Sequence, residues 1–523
     1  IICILNHLLR SHRPSHHAPC GQTISISQLT ILQNIMPSSL SPQQALLASS
    51  VALTVAAVSF FTYQRNKREE KSYPIDDSPG RVGSRGAAAI GAPFGYFDAF
   101  MKCLMDPCHP KTNPEGHIAL CVAENKLVQD MFSERLLQRD VCEAAFSDPI
   151  VYSYNNSLGL PAAREAAAYF LAKRFVAPSR QLSMEMALQI VNPEHVALGS
   201  GCNAMLSNLC LALAEKGEAV LIPAPYYAAF EVDMKAIAGL VVYPVALENP
   251  AQGPTPADLE TATREAERDG IKVKMLLLTN PNNPLGVIYG SSIIRNCIQW
   301  ARKRKLETIV DEIYGLSVHQ KDGSKFQSVT EILDNDLGND VHMIWGLSKD
   351  FAASGFRVGL LYTQNEVLLQ ALSSFNGFSL ISHPMQMVVA TILKDDAFVD
   401  SFLDYSRSKL YTSYSICTKT MDQLGLPYVS AEACMFVYVD FSSFLPSKTV
   451  EAEGKLSDAM LKFARIVLTP GSSQRDPNPG WFRVCYAYVS PDVLEIGMER
   501  LTLLVEKIKK HGLENIKPII EKV

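Results

Sequence analysis

The chain has 523 residues, of which 47% are hydrophobic, so it can bury a large core and is long enough for more than one domain. Its formal net charge of −5 gives no general attraction for polyanions, and we therefore expect no nucleic-acid partner. The 12 cysteines form no Cys-x-x-Cys pair and no cluster with histidines at zinc spacing, which predicts free thiols, a reducing compartment and no metal site.

The first 80 residues differ from the rest of the chain. Residues 1–35 precede Met36, a candidate translation start, and are interpreted as an upstream translation or a targeting segment. Residues 45–63 carry no charge and are followed at once by basic residues, which predicts a transmembrane helix with the catalytic part in the cytosol. The alternative is a cleaved signal or transit sequence. We therefore assign residues 1–80 to a targeting or anchor segment and a linker.

Apolar runs of strand length alternate with longer amphipathic segments in the middle of the chain. Several runs are apolar throughout, which is typical of parallel strands that are covered by helices on both faces. This pattern predicts an α/β large domain at residues 146–385. The predicted strands lie at residues 219–223, 275–278, 308–310, 342–345 and 359–362.

The C-terminal part predicts a smaller α+β domain at residues 386–523. Strand-like runs at 435–439 and 482–487 precede a helix that should start at Ser490 and Pro491 and stop at Gly512. Residues 81–145 remain, and we interpret them as an N-terminal arm and part of this small domain.

Residues 199–204 read Gly-Ser-Gly-Cys-Asn-Ala and precede a helical run at 205–216. Glycine and small residues at a helix N-terminus let backbone N–H groups face a phosphate, although such a turn alone is more often structural. Further on, Tyr226 and Tyr227 follow a predicted strand. An aromatic side chain there could stack on a planar ring or simply belong to the core.

Two motifs follow the next predicted strands. Residues 280–286 read Asn-Pro-Asn-Asn-Pro-Leu-Gly, a rigid turn in which the Asn283 amide could donate to a phenolate oxygen. Asp311 ends the following strand, where α/β proteins bind ligands. It could keep a pyridine nitrogen protonated, while the hydroxyl of Tyr314 reaches the same phenolate oxygen.

Lys349 lies in the run Gly-Leu-Ser-Lys-Asp-Phe-Ala-Ala-Ser-Gly-Phe-Arg-Val-Gly at residues 346–359, with Arg357 eight positions later. A lysine amine attacks a carbonyl only where partial desolvation makes its neutral form accessible. The small and apolar neighbours of Lys349 suit that environment. A lysine among small residues is usually a surface charge, so the prediction depends on the order of all these motifs together.

This ordered set resembles the pyridoxal-phosphate enzymes of fold type I, the class I/II aminotransferases, and within them the 1-aminocyclopropane-1-carboxylate (ACC) synthases. The resemblance extends from about Gly91 to the C-terminal helix. It implies the fold type I transferase fold, with a mostly parallel sheet between helices, pyridoxal 5'-phosphate as cofactor, and a homodimer. The matching motifs are at residues 123–125, 225–227, 280–286, 311–314, 348–350, 355–359 and 483–485.

The resemblance also implies roles for single residues. Lys349 would hold the cofactor as a Schiff base and act as the proton-transfer base, and Asp311 would pair with the pyridine nitrogen. Arg483 would clamp the substrate α-carboxylate bidentately, and Glu124 would belong to the substrate site. The remaining cofactor-binding candidates are Gly201, Cys202, Asn203, Tyr227, Asn283, Tyr314, Ser348, Arg357 and, toward the neighbouring subunit's cofactor, Tyr154.

Two departures from the ACC synthase pattern bear on the reaction. Gly346 stands where the subgroup usually has a serine that binds phosphate. Ser157 stands where the plant ACC synthases have a tyrosine, whereas Tyr154 fits the spacing of ordinary aminotransferases. The sequence therefore favours amino transfer from an amino acid to a 2-oxo acid. The alternatives are ACC synthase activity on S-adenosylmethionine and a catalytically silent ligand-binding protein on the same fold.

Overall fold

The computed structural model describes residues 82–83, 86–87, 90, 95–319 and 326–516. The chain divides into two compact units, residues 1–88 and 89–523, and nearly all described residues belong to the second. The elements given below all lie in that second unit. The cysteines of the described ranges are free thiols, as the sequence predicted.

The predicted transmembrane helix requires correction. Within the described ranges, no helix is long and apolar enough to cross a membrane. The two longest described helices, Asp396–Leu424 and Pro491–His511, carry charged residues along their length. Residues 45–63 lie outside the described residues, as do residues 1–35. A membrane anchor is therefore not supported.

A seven-stranded sheet forms the centre of the fold, with strand order β2-β8-β7-β6-β5-β3-β4. Strand β8 runs antiparallel to both of its neighbours, and the other pairs are parallel. The mostly parallel sheet predicted from the sequence is confirmed. The strands of the central sheet are β2 Val196–Ser200, β3 Ala219–Pro223, β4 Val241–Val245, β5 Val273–Thr279, β6 Glu307–Asp311, β7 Val341–Gly346 and β8 Val358–Tyr362.

Continuous apolar runs became strands because both faces of the sheet are covered. Every residue of β3 is buried, and so is every residue of β7 and β8. Five strands were predicted here, and β3 has the predicted bounds, while the other four extend one to three residues beyond them. The helices that cover the sheet and complete the fold are α1 Phe97–Met105, α2 Gln129–Leu136, α3 Arg139–Phe146, α4 Pro161–Leu171, α5 Met184–Ile190, α6 Cys202–Leu213, α7 Phe230–Lys235, α8 Pro256–Arg268, α9 Ser291–Arg304, α10 Val329–Ile332, α11 Leu347–Asp350, α12 Glu366–Phe375, α13 His383–Lys394, α14 Asp396–Leu424, α15 Val450–Ala459 and α16 Pro491–His511.

The C-terminal part adds two small sheets. One is antiparallel with the order β12-β13-β10-β9, and the other pairs β1 with β11 in parallel. The final helix begins after Ser490 and ends before Gly512 at φ 75°, as the sequence predicted. These strands are β1 Ile118–Ala119, β9 Tyr428–Val429, β10 Phe436–Asp440, β11 Ile466–Val467, β12 Thr469–Pro470 and β13 Trp481–Cys485.

A second buried cluster lies in the C-terminal part of the chain. It joins the side chains of β10, β13 and α16 and also contains Ile118 and Leu120 from the N-terminal part. This packing agrees with the assignment of residues 81–145 partly to the small domain. The boundaries at residues 146 and 386 remain a proposal.

Candidate active site

A cavity of about 440 Å³ opens at the carboxyl ends of the central parallel strands. Thr279 ends β5, Asp311 ends β6, and the turn with Lys349 follows β7 directly. Parallel strands bring side chains from distant sequence positions together at this edge. Eleven of the predicted site residues line the cavity: Glu124, Cys202, Asn203, Tyr227, Asn283, Asp311, Tyr314, Ser348, Lys349, Arg357 and Arg483.

The Lys349 amine points into this cavity. Its Nζ donates a hydrogen bond of 2.6 Å to the backbone carbonyl of Ala123. Burial lowers the pKa of Lys349, and the positive charge of Arg483 acts in the same direction, while the carboxylate of Glu124 opposes both. A lysine in this setting has an accessible neutral form, which is the form that attacks carbonyl carbon.

Asp311 is a second buried titratable group that lines the cavity. Its side chain is 6% exposed and accepts a 3.1 Å hydrogen bond from the backbone N–H of Ile313. Burial raises the pKa of the Asp311 carboxyl to about 7, and Lys349 counteracts this only in part. A further cation beside Asp311, such as a protonated ring nitrogen, would stabilise its ionised form.

A cradle for an anion lies at the start of α6. Gly201 has φ +87° and precedes the helix, and a Cβ at this position would lie 2.5 Å from Nη2 of Arg357. Arg357 donates 2.8 Å and 2.9 Å hydrogen bonds to Asn203 Oδ1 and to the carbonyl of Ser354. The helix N-terminus, the guanidinium and the nearby Ser348 hydroxyl together suit a phosphate group. Gly201 itself does not line the cavity but makes this close approach possible.

The structure gives a physical reason for Gly346, where a serine was expected. A Cβ at position 346 would lie 2.5 Å from the carbonyl oxygen of Val358 and 3.0 Å from Sγ of Cys202. The space that a serine would need is therefore occupied by backbone and by the Cys202 thiol. Helix α6, which starts at Cys202, can approach β7 and β8 this closely because position 346 carries no side chain.

Arg483 extends from β13 into the cavity and is 2% exposed. Its Nη1 donates to Asn283 Oδ1 at 2.7 Å, and its Nη2 donates to the carbonyl of Cys121 at 3.0 Å. Its Nε is buried without a hydrogen-bond partner, and within the described ranges its two other nitrogens donate to an amide oxygen, a carbonyl and the Thr469 hydroxyl, none of which is anionic. A buried guanidinium without an anionic partner favours the binding of a carboxylate ligand.

Tyrosines form part of the remaining wall. Tyr227 lines the cavity and packs edge-on against Phe230 at 5.4 Å, whereas the hydroxyl of its neighbour Tyr226 donates to Glu231 at 2.8 Å. This arrangement agrees with the choice of Tyr227 for ring stacking. Tyr314 is buried against Phe436, and its ring packs edge-on at 5.5 Å.

Tyr154 is not brought into the cavity. Its side chain is fully exposed on the surface, so within one chain it contacts none of the other candidates. Ser157 also points elsewhere, because its hydroxyl donates to the carbonyl of Ser373 at 2.5 Å. The role of Tyr154 toward a second subunit stays a prediction.

Asp350 supports the lysine turn without lining the cavity, and the sequence analysis included it in the motif at residues 348–350 but gave it no role. Its buried carboxylate accepts hydrogen bonds from Trp345 Nε1 at 2.8 Å, Leu316 N at 3.0 Å and Ser317 Oγ at 2.5 Å. These bonds join the lysine turn to the segment after Tyr314. The sequence feature that could have pointed to Asp350 is its acidic side chain directly after Lys349.

Several residues that do line the cavity were missed. Asp233 lies in α7, and burial raises the pKa of its carboxyl to about 6, but nothing in its sequence context marks it. Tyr96, Phe97 and Phe100 contribute three aromatic rings from the start of the described chain. They belong to the segment interpreted as an N-terminal arm, and no sequence motif marked them as part of the cavity.

The residues present fit pyridoxal phosphate on three observations. The Gly201 cradle has the donors and the close backbone approach that a phosphate needs. The buried Asp311 carboxylate suits a protonated pyridine nitrogen, and the Lys349 amine is held where its neutral form is accessible. Within the described residues, no group of three or more His, Cys, Asp or Glu side chains is arranged to hold a metal ion.

Comparisons with known proteins agree with this geometry. The family model "Aminotransferase class I and II" matches residues 123–501. The 1-aminocyclopropane-1-carboxylate synthase of Glycine max is 30% identical over 435 residues, which cover 81% of this chain and 87% of that protein. The 1-aminocyclopropane-1-carboxylate synthase 6 of Oryza sativa subsp. japonica is 31% identical over 440 residues, covering 82% and 80%.

Solved structures share the fold at lower identity. A double mutant of the Thermus thermophilus aspartate aminotransferase superposes with a TM-score of 0.63 at 21% identity, covering 81% of this chain and 100% of that one. The aromatic aminotransferase from Pyrococcus horikoshii OT3 gives a TM-score of 0.62 at 21% identity, covering 75% and 96%. The predicted fold class is therefore confirmed.

Proposed function

This chain belongs to the aminotransferase class I and II family and is a pyridoxal-phosphate-dependent enzyme, and on that premise we propose that it moves an amino group from an amino acid to a 2-oxo acid. The observation that carries the proposal is the pairing, in one cavity, of a desolvated lysine with a buried guanidinium that lacks an anionic partner. Amino transfer requires both an amine-reactive centre and a fixed carboxylate site. Lys349 and Arg483 would supply them.

Arg483 would bind the α-carboxylate of the amino acid. Its guanidinium already shares hydrogen bonds with Asn283 and the Cys121 carbonyl, so its plane is fixed before a substrate arrives. A fixed fork of N–H donors matches the two oxygens of a carboxylate. The reacting α-carbon would then lie toward Lys349.

When bound, pyridoxal phosphate supplies an electron-withdrawing ring that stabilises negative charge at the α-carbon. Asp311 would hold a proton on the ring nitrogen, and Asn283 and Tyr314 would donate hydrogen bonds to the ring oxygen. Arg357, Ser348, Cys202 and Asn203 would hold the phosphate. Lys349 would carry the proton that leaves the α-carbon to the site where it is returned.

The exposed Tyr154 supports the further proposal that the active form is a homodimer. Tyr154 and Phe378 are both almost fully exposed, which is unusual for large aromatic side chains. The hydrogen bond from Ser157 to Ser373 ties the Tyr154 loop to α12, which ends just before Phe378. A second copy of the chain would cover these rings and could bring Tyr154 to its own cofactor.

ACC formation from S-adenosylmethionine is a second candidate reaction. It is supported by the 30–31% identity to ACC synthases and by Glu124, which lines the cavity. Against it stands Ser157, which occupies the position of the tyrosine in the plant enzymes. We rank amino transfer first for that reason.

The test is a substrate panel on the purified holoenzyme. Keto-acid formation from common amino acids and methylthioadenosine release from S-adenosylmethionine are measured side by side. We expect keto acid from at least one amino acid and little methylthioadenosine. Methylthioadenosine and ACC without any keto acid would reverse the ranking.

Lys349→Ala protein serves as the control for the catalytic assignment. Borohydride should fix the cofactor on the wild-type protein and leave this variant unlabelled, and turnover should be lost. Retained labelling with normal turnover would disprove the role of Lys349. Absence of both reactions in labelled wild-type protein would favour a silent ligand-binding role.

A further inference from the structure

We propose that the end of the cavity formed by Tyr96, Phe97 and Phe100 is a side-chain subsite that selects large apolar amino acids, aromatic ones above all, over acidic ones. The inference rests on the proposed function, because the amino acid would be held there through its carboxylate on Arg483. We call these three residues the aromatic wall. Phe100 is the residue that we assign as the main determinant of specificity.

The composition of this end of the cavity carries the proposal. After the residues proposed for the cofactor and the α-carboxylate are set aside, the remaining lining is mainly apolar and includes the aromatic wall and Val122, with Glu124 and Asp233 as its acidic members. In the described chain, the cationic side chains that line the cavity are Lys349, Arg357 and Arg483. Each already has a proposed partner, so none remains for a second substrate carboxylate.

The aromatic wall is held in place by packing. Phe100 contacts the ring of Tyr488 edge-on at 6.1 Å and packs with Tyr96 against a small buried cluster around Cys103 and Val467. The rings therefore present a fixed apolar surface. A benzyl or indolyl side chain would bury apolar area against them and gain ring contacts of the edge-on or offset kind.

The charge at this end opposes acidic substrates. Glu124 lines the cavity and would repel a side-chain carboxylate at close range. Lys126, close to Glu124 in the sequence, does not line the cavity, and its ammonium lies 3.6 Å above the ring of Tyr488. Pairing with a second substrate carboxylate would break that cation–π contact.

Two inert carboxylic acids test the subsite without requiring turnover. We would titrate the holoenzyme with 3-phenylpropionate and with succinate and follow the visible absorbance of the lysine-bound cofactor. The two acids share the same two-carbon chain and first carboxylate, and succinate carries a second carboxylate where 3-phenylpropionate carries a phenyl ring. We expect a dissociation constant at least tenfold lower for 3-phenylpropionate.

Substitutions of Phe100 test whether this residue determines the preference for 3-phenylpropionate. Phe100→Leu should weaken 3-phenylpropionate binding about threefold or more and leave succinate binding unchanged. Phe100→Arg should reverse the preference toward succinate, because it places a cation in the wall. The matched control is Phe463→Leu, a half-buried phenylalanine away from the cavity, which should change neither constant.

Succinate binding as tightly as 3-phenylpropionate to the wild-type protein would overturn the inference, and so would an unchanged preference in Phe100→Leu. Should Phe100→Arg fail to fold, Phe100→Leu still decides the assignment. The proposed function fails differently, by giving no keto acid from any amino acid. Faster keto-acid formation from aspartate or glutamate than from phenylalanine would leave amino transfer standing and remove the subsite.

Discussion

Arg483 fixes the orientation of the Asn283 side chain. Its Nη1 can only donate, and it lies 2.7 Å from Oδ1 of Asn283, so the amide oxygen faces Arg483 and the amide nitrogen is left to donate into the cavity. The same contact thus leaves the Asn283 amide nitrogen free to donate to the proposed ring oxygen of the cofactor. It also fixes the plane of the Arg483 guanidinium, which is proposed to bind the substrate carboxylate. The two proposed binding functions depend on one another.

Replacing Asn283 with aspartate should turn this contact into an ion pair. The new carboxylate would compete with the substrate for Arg483 and would remove the donor to the ring oxygen. We expect KM for the amino acid to rise at least tenfold, a loss of about 1.4 kcal/mol in binding. Steady-state kinetics check this, and Asn282→Asp, one position away in the same turn, is the control. Equal KM values in wild type and N283D would contradict the arrangement.

The rate of cofactor attachment should depend on pH in a way set by Lys349. Neutral amine is the reactive form, so the rate rises with pH and levels off above the pKa. Because burial lowers the pKa of Lys349 from 10.5, the half-maximal rate should fall below pH 10.5. The appearance of visible absorbance in cofactor-depleted protein measures it, with N-acetyl-lysine as the exposed reference amine. An inflection equal to that of the reference would count against the desolvated site.

The Glu124→Gln variant tests the pH dependence of cofactor attachment in a second way. The Glu124 carboxylate favours the charged form of Lys349 and so raises its pKa. Its removal should move the inflection to lower pH, while Glu134→Gln, on the exposed side of α2, should leave it in place. A shift in the opposite direction would show that Glu124 does not act on the lysine as charge.

Asp311→Ala should reduce turnover at least 100-fold, about 2.7 kcal/mol in activation free energy. The fold should survive, since the side chain makes a single hydrogen bond, to the nearby backbone N–H of Ile313, within the described contacts. Turnover number and the urea unfolding midpoint are measured together. Activity within twofold of wild type, about 0.4 kcal/mol, would rule out the proposed role.

Asp350 should be important for stability, although it does not line the cavity. Asp350→Ala leaves the Trp345, Leu316 and Ser317 donors without an acceptor, and we expect a loss of about 3 kcal/mol in unfolding free energy with weaker cofactor retention. Asp350→Asn keeps an oxygen for Trp345 and Leu316, and its amide can donate to the Ser317 hydroxyl. It should therefore remain close to wild type in urea unfolding. Equal losses in both variants would mean that charge, not hydrogen bonding, matters at this position.

Much of the fold could be predicted because buried strands and helix ends have recognisable sequence patterns. Strand β3 is apolar throughout since helices cover both of its faces, and the last helix is marked by Ser490 before it and Gly512 after it. The spacing of Asn283, Asp311 and Lys349 after successive strands also predicted that they would meet. The antiparallel direction of β8 could not be predicted, because an apolar run carries no information on strand direction.

The parts of the site that could not be predicted depend on atoms or contacts without a sequence pattern. The partner of Lys349 is the backbone carbonyl of Ala123, and any residue type would supply that oxygen. The function of Asp350 depends on donors from separate segments, which only the folded chain brings together. The transmembrane interpretation of residues 45–63 rested on a charge-free stretch alone, and no helix of the described residues supports a membrane anchor.

One part of the cavity wall joins two segments that are far apart in the sequence. Cys121 and Ala123 follow β1, which pairs with β11, and Arg483 on β13 holds the Cys121 carbonyl. Before residue 483 is translated, the nascent chain therefore already contains Lys349 but lacks Arg483 in the wall of the cavity. Products of premature termination before β13 lack Arg483 and its hydrogen bond to the Cys121 carbonyl, although they contain all the residues proposed to bind the cofactor. On the proposed role of Arg483, binding of a substrate carboxylate therefore requires that synthesis has passed β13.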